Sequence, residues 1–220
     1  MEYLLYLQPV SIVAMAFCIA MCMWHCVRLI KLGAPKDLSQ PSGSVTAGVV
    51  YSNTGAMMPR QKESAYKHLP TYTAGILFHI GSFIALLSFL LLIPSVVGYF
   101  FFQHPLLSTL IALYLWLSAF CGIGLVIKRL FSKKLRPISN VDDYFAIILV
   151  TLFHLVSALV FTAFAFNEYS YILFATYFLV ATLLFIYLPY SKLKHVVYYF
   201  AARYHLGFFY GRRGTWPPKV

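Results

Sequence analysis

Residues 143–195 read DYFAIILVTLFHLVSALVFTAFAFNEYSYILFATYFLVATLLFIYLPYSKLKH. Two apolar runs, 143–166 and 169–190, flank a short polar turn at Asn167 and Glu168. At about 1.5 Å per helical residue, each run is long enough to cross a hydrocarbon core ~30 Å thick. Similar runs lie at 3–30, 72–102 and 105–127. This pattern predicts an all-α integral membrane protein, a five-transmembrane-helix bundle forming a single domain over 1–220. The fifth helix is expected to continue past Pro189, giving a span of 169–202. Composition agrees with this reading: 61% of residues are hydrophobic and 10% are charged, where a soluble domain carries about 25% charged residues. A globule of this length could not hide that much apolar surface from water.

The first run starts without a basic segment, continues for about 27 residues and has no clear small-residue cleavage site. It therefore reads as a helix rather than a signal peptide. Between it and the second run, residues 31–71 form a polar loop with eight Gly and Pro residues from Gly33 to Pro70. The loop is expected to be mostly irregular. A loop this long usually binds something, and it reads as a docking surface or a cap on the bundle.

The net charge of +11 does not indicate nucleic acid, because the basic residues lie between the apolar runs and not along one face. Arg28 and the cations of the first loop fall on one side of the membrane. They are joined by Lys128, Arg129, Lys133, Lys134 and Arg136, and by Lys192, Lys194, Arg203, Arg212, Arg213 and Lys219. The other side has Glu2 and Glu168 and no Lys or Arg. The positive-inside rule then places the N-terminus outside and the C-terminus in the cytoplasm, as in a multi-pass protein of the cell inner (cytoplasmic) membrane. The tail, 203–220, mixes aromatic and basic residues. It suits either the headgroup level or a surface gripping a cytoplasmic subunit.

Cys18, Cys22 and Cys26 share one stripe of the first helix and read as a helix–helix contact, with no metal-ligand spacing. The ionisable residues inside the spans are histidines: His25, His79 and His154, with His195 at the end of the fifth. Intramembrane imidazoles point to haem, quinone or proton chemistry. Counting from the outer face puts His79, His195 and His25 in one layer ~35–40 Å away, and His154 at ~21 Å. A b-type haem held by two histidines needs ligands at matching depth on different helices, with cations near its propionates. His79 and His195 meet the depth condition, with Lys192 and Lys194 at the polar rim, although depth alone does not choose His195 over His25.

Leu77-Phe78-His79-Ile80-Gly81 on helix two and Leu188-Pro189-Tyr190-Ser191-Lys192-Leu193-Lys194-His195 closing helix five resemble a family of cytochrome b subunits. The family is typified by the gamma subunit of respiratory nitrate reductase and includes relatives from heterodisulfide-reductase-like and sulfate-respiration complexes. The likeness extends to helix number, topology and length. It implies that His79 and His195 are axial ligands of a haem b, with haem iron as the metal. The nitrate reductase subunit has a second, outer haem, whose ligand positions fall here on Phe89 and Tyr177, neither an imidazole. His154 and His25 are the candidates for a rearranged second haem or a quinone site. His154 equally suits a helix–helix hydrogen bond.

The expected function is an electron-transfer subunit of a membrane oxidoreductase complex. It would move electrons between a membrane quinone or quinol and a cytoplasmic iron–sulfur or heterodisulfide-reductase-like partner, with membrane lipid around it. No catalytic residue is assigned to the chain itself. The alternative is a non-redox membrane anchor or small transporter without cofactor. The lack of a repeat or of deep Asp, Glu, Lys or Arg residues disfavours the transporter.

Overall fold

The structure, a computed structural model, describes residues 7–33, 37–93, 101, 104–168 and 170–218, apart from the side chains of 63 and 64. Among them it is all-α. The helices are α1 (Leu7–Leu32), α2 (Val45–Asn53), α3 (Glu63–Lys67), α4 (Leu69–Leu92), α5 (Pro105–Phe131), α6 (Val141–Ala165), α7 (Tyr171–Tyr187) and α8 (His195–Arg212). Helices α1, α4, α5 and α6 are each long and apolar enough to cross a membrane. Helix α7 has 17 residues, or ~26 Å, and reaches that length only together with the segment that follows it. The chain is thus a multi-pass membrane protein by helix length and composition, with four such helices among the described residues, or five if α7 and its continuation count as one.

Two compact units are present: Met1–Ile19 with Pro70–Lys192, and Ala20–Leu69 with Leu193–Val220. In the first, α6 packs against both α5 and α7. At Gly122 of α5 the neighbouring helices come close: a Cβ there would lie 2.4 Å from Thr151 Oγ1 of α6 and 2.6 Å from Phe78 Cε2 of α4. Further along α5 and α6, Trp116 Nε1 donates to Thr162 Oγ1 at 3.1 Å. Small residues at such contacts let helices pack where lipid supplies no hydrophobic drive. Helix α6 starts on a reciprocal cap: Asp143 N–H donates to Asn140 Oδ1 (3.1 Å) and Asn140 N–H donates to Asp143 Oδ2 (3.0 Å).

Three expectations change. The fifth helix does not run to Ala202 but ends at Tyr187, with a 3₁₀ turn at Lys192–Lys194 before α8 begins. Pro189 has no N–H to continue the ladder, although Leu188 before it still keeps helical backbone angles (φ −50°, ψ −51°) and bonds to Leu184 O. The break is also fastened by Asp142, whose carboxylate accepts from the Lys192 backbone N–H at 2.8 Å and from the Tyr187 hydroxyl.

The first loop is not mostly irregular, since it contains α2, α3 and two 3₁₀ turns. Ser44 caps α2, its Oγ accepting from Ala47 N–H. Gly48 serves close packing rather than a turn: its Cβ would lie 2.4 Å from both Gly207 O and Gly211 Cα. Helix α8 in turn extends to Arg212, so the expected tail from 203 is largely helical.

Of the cysteine stripe, Cys18 is buried, Cys22 half-buried and Cys26 exposed. Helices two to four begin or end within a few residues of expectation where described. The expected start of α1 at 3, the end of helix two at 102, and Glu2, Lys36, Gln103 and Lys219 lie outside the described residues.

Candidate functional site

The first unit sorts its basic residues to one end. There the starts of α4 and α6 meet the ends of α5 and α7. Lys128 Nζ donates to Thr71 Oγ1. Arg129 donates to Ser139 Oγ at 3.0 Å and pairs with Asp143 at 3.2 Å. Lys192 Nζ pairs with Asp143 at 2.6 Å. At the opposite end, Gln8 Nε2 donates to Ile93 O at 2.8 Å. The described residues around that end (7–10, 92–93, 104–107, 166–168 and 170–172) include no Lys or Arg. Lys192, expected beside a haem propionate, is thus in an ion pair with Asp143. Lys194 is half-buried in the 3₁₀ turn before α8.

His154 is fully buried where α4, α5 and α6 meet. Its Nε2 lies 3.1 Å from Ser82 Oγ and its Nδ1 lies 3.0 Å from Ser118 Oγ. A neutral imidazole has one donor and one acceptor nitrogen, so one serine donates to the ring and the other accepts from it. The carbonyl of Phe78 decides which. It lies 3.0 Å from Ser82 Oγ and 3.5 Å from Ser118 Oγ. The shorter bond favours Nε2–H donating to Ser82, Ser82 donating to Phe78 O, and Ser118 donating to Nδ1. Every polar atom is then satisfied, as burial requires. Both ring nitrogens are occupied, and His154 makes the interhelix hydrogen bonds that were one of its expected roles. The two serines could not be identified from sequence, because each comes from a different helix. The Phe78 ring covers the imidazole with centroids 4.7 Å apart.

His79 follows Phe78 on α4 and, unlike it, is exposed. Its Nδ1 lies 2.7 Å from the carbonyl of Gly75, one turn earlier. That carbonyl accepts only, so Nδ1 carries the proton and Nε2 holds the lone pair. A Cβ built on Gly75 would meet nothing within 4 Å.

Phe89 and Tyr177, expected from the resemblance to stand where an outer haem would have its ligands, are both fully buried, with ring centroids 6.1 Å apart. Around them Phe89 packs on Phe185 at 5.0 Å and on Phe178 at 6.2 Å, and Tyr177 stacks on Phe153 at 5.8 Å. These rings fill the space between α4, α6 and α7.

In the second unit, α2 lies against α8 in backbone-to-backbone contact through Gly48, Gly207 and Gly211. Ser52 Oγ donates to Arg203 O at 2.6 Å, and the Arg203 guanidinium returns a bond to Ser52 O. Asp37 accepts from Arg213 at 2.7 and 3.1 Å. The Ser39 hydroxyl and backbone N–H, followed by Arg213, hold the Asp37 carboxyl well below the usual carboxylate range. Trp216 packs on Tyr210 and Tyr51, with centroids 4.8 and 5.5 Å away. The first loop and the tail are therefore one folded piece.

His25 is half-buried, with the Tyr198 hydroxyl 3.3 Å from its Nδ1. His195, exposed, is the first residue of α8. His79 and His154 thus belong to the first unit, and His25 and His195 to the second. Among the described residues, no three or more His, Cys, Asp or Glu side chains gather as a metal-ion cluster. Compared with protein-family models, curated proteins and solved structures, the chain finds no match.

Proposed function

We propose that this chain is the haem b membrane subunit of a respiratory complex, passing electrons between membrane quinone or quinol and a cytoplasmic iron–sulfur or heterodisulfide-reductase-like partner. The sequence resemblance motivates the reading, and the orientation of His79 is the observation that carries it. An axial imidazole keeps its proton on one nitrogen, hydrogen-bonded to a carbonyl or carboxylate, and offers the lone pair of the other. His79 has that arrangement through Gly75 O, and the open surface at Gly75 leaves room beside it. The donor chemistry of His79 therefore fits the group. His195 is assigned as the other ligand by resemblance.

The bound haem would supply one-electron transfer. The chain's residues would orient and neutralise it. The bond to Gly75 fixes the His79 ring, and Lys194 is the candidate propionate partner once Lys192 is committed to Asp143. The proposal takes one haem, because aromatic side chains occupy the positions of an outer one. With both nitrogens of His154 bonded to serines, His25 and its neighbour Tyr198 become the candidate pair for quinone hydrogen bonding. By the positive-inside rule, the basic end of the first unit would face the cytoplasm of a cell with this protein in its inner membrane, where the partner would dock.

His79→Ala and His195→Ala test the assignment. Each should abolish the reduced b-type spectrum while the cofactor-free chain still folds, as read by helical circular dichroism. Retention of the spectrum in both would refute the ligand set. The alternative, a non-redox membrane anchor, draws on the closed aromatic core of the first unit and predicts no bound haem at all.

A further inference from the structure

The cations at the basic end of the first unit divide into two groups. Lys128, Arg129 and Lys192 are bonded to Thr71, Ser139 and Asp143. Lys133, Lys134 and Arg136, on the connection between α5 and α6, are all exposed. Their side chains have no hydrogen-bond or ion-pair partner among the described residues.

The connection is nevertheless ordered. Leu135 and Arg136 N–H groups donate to Ser132 O, and Ser139 Oγ donates to Leu135 O at 2.8 Å. Large apolar side chains bracket the three cations and also point outward. Phe131 is 80% exposed, and Ile138 and Val141 are 76% exposed each.

In water this arrangement is unfavourable twice over, leaving like charges un-neutralised and apolar surface wet. At the membrane surface both problems vanish. The connection lies at the ends of two helices long enough to span the bilayer, so its apolar side chains reach acyl chains while its cations meet phosphates.

We propose that the α5–α6 connection binds anionic phospholipid, with Lys133, Lys134 and Arg136 on the headgroup phosphate and Phe131, Ile138 and Val141 against the acyl chains. Charge complementarity selects an anionic headgroup over a zwitterionic one. The apolar bracket selects lipid over a free phosphate or an acidic protein face.

Near an anionic surface each Lys or Arg contributes about fivefold in affinity. Three should give on the order of 100-fold preference for phosphatidylglycerol over phosphatidylcholine of the same chains. Lipid binding to the full chain, purified in neutral detergent, is read by native mass spectrometry during titration with each lipid.

The triple variant Lys133→Gln/Lys134→Gln/Arg136→Gln should lose the preference. Its melting temperature in phosphatidylcholine should stay unchanged, because the three side chains hold nothing within the chain. A charge-matched control, Arg28→Gln/Lys31→Gln/Arg60→Gln, should keep the preference, and inorganic phosphate should not displace the lipid. The proposal is overturned if the native chain shows no preference or if the triple variant retains it. It is also overturned if the control loses as much, or if inorganic phosphate competes.

Discussion

Replacing Gly81 by Ala would place a Cβ 2.0 Å from Ser118 Oγ and 2.4 Å from Ser118 Cβ. Ordinary contact begins near 3.4 Å. Rotating the Ser118 hydroxyl away relieves only the first clash, because its Cβ is fixed to the backbone of α5. Helices α4 and α5 must therefore separate by about 1 Å. His154 on α6 bonds to both helices, so the shift stretches one of its two contacts beyond hydrogen-bonding range: Ser118 Oγ–Nδ1 (3.0 Å) where α5 moves, Ser82 Oγ–Nε2 (3.1 Å) where α4 moves.

Overpacking costs about 1–3 kcal/mol, and an unsatisfied buried nitrogen adds about 1–3 kcal/mol. Gly81→Ala should thus destabilise the first unit by roughly 2–6 kcal/mol. Ser118→Gly removes both clashing atoms but loses the Ser118–His154 hydrogen bond. The double variant should then cost less than the sum of the singles by at least about 1 kcal/mol. Equilibrium unfolding in mixed micelles, followed by helical circular dichroism, measures the cycle. A Gly81→Ala cost within about 0.5 kcal/mol of zero, or strict additivity, would refute the packing argument at His154.

Two further predictions concern the second unit. In Gly48→Ala the new Cβ meets the backbone of α8 at Gly207 and Gly211, which no rotamer change relieves. Limited proteolysis should then cut residues 33–69 at least tenfold faster than in the native chain, with the first unit's fragments unchanged. The second prediction concerns pH. Because the folded pKa of Asp37 is depressed, its contribution is fully present above the unfolded value of about 4. It is lost as pH falls through the lower folded value. Hydrogen exchange in residues 37–53 should be flat from pH 7 to 5, after correction for intrinsic rates, and should accelerate only below about pH 4. Asp37→Asn should be faster at neutral pH and lack the acid step.

Much of this architecture is legible in the run of apolar residues, because spanning helices answer to one requirement of length and hydropathy. The pieces that are not legible depend on partners distant in sequence. Pro189 alone reads equally as a kink or a stop; the stop is secured by Asp142, 47 residues earlier, through Lys192 N–H and the Tyr187 hydroxyl. Gly43 and Gly48 read as loop punctuation, yet both lie against glycines of the C-terminal segment.

The histidines are conspicuous in sequence, but their states are set by neighbours. His154 looks like a ligand candidate until Ser82 and Ser118 arrive from two other helices. The Gly75 carbonyl that fixes the His79 tautomer is only one turn away, a local signal that an i−4 inspection could have found. Asp142 and Asp143 were easy to overlook for a simpler reason: topology rules count positive charges and give acidic ones little weight.

The central claim is that this membrane chain carries haem b, and a haem count tests it most directly. A dithionite-reduced spectrum of the purified protein, with a pyridine haemochrome assay against protein concentration, should give a b-type signal and about one haem per chain, as two axial histidines allow. A spectrum with no b-type haem, after expression with haem in excess, would contradict the account.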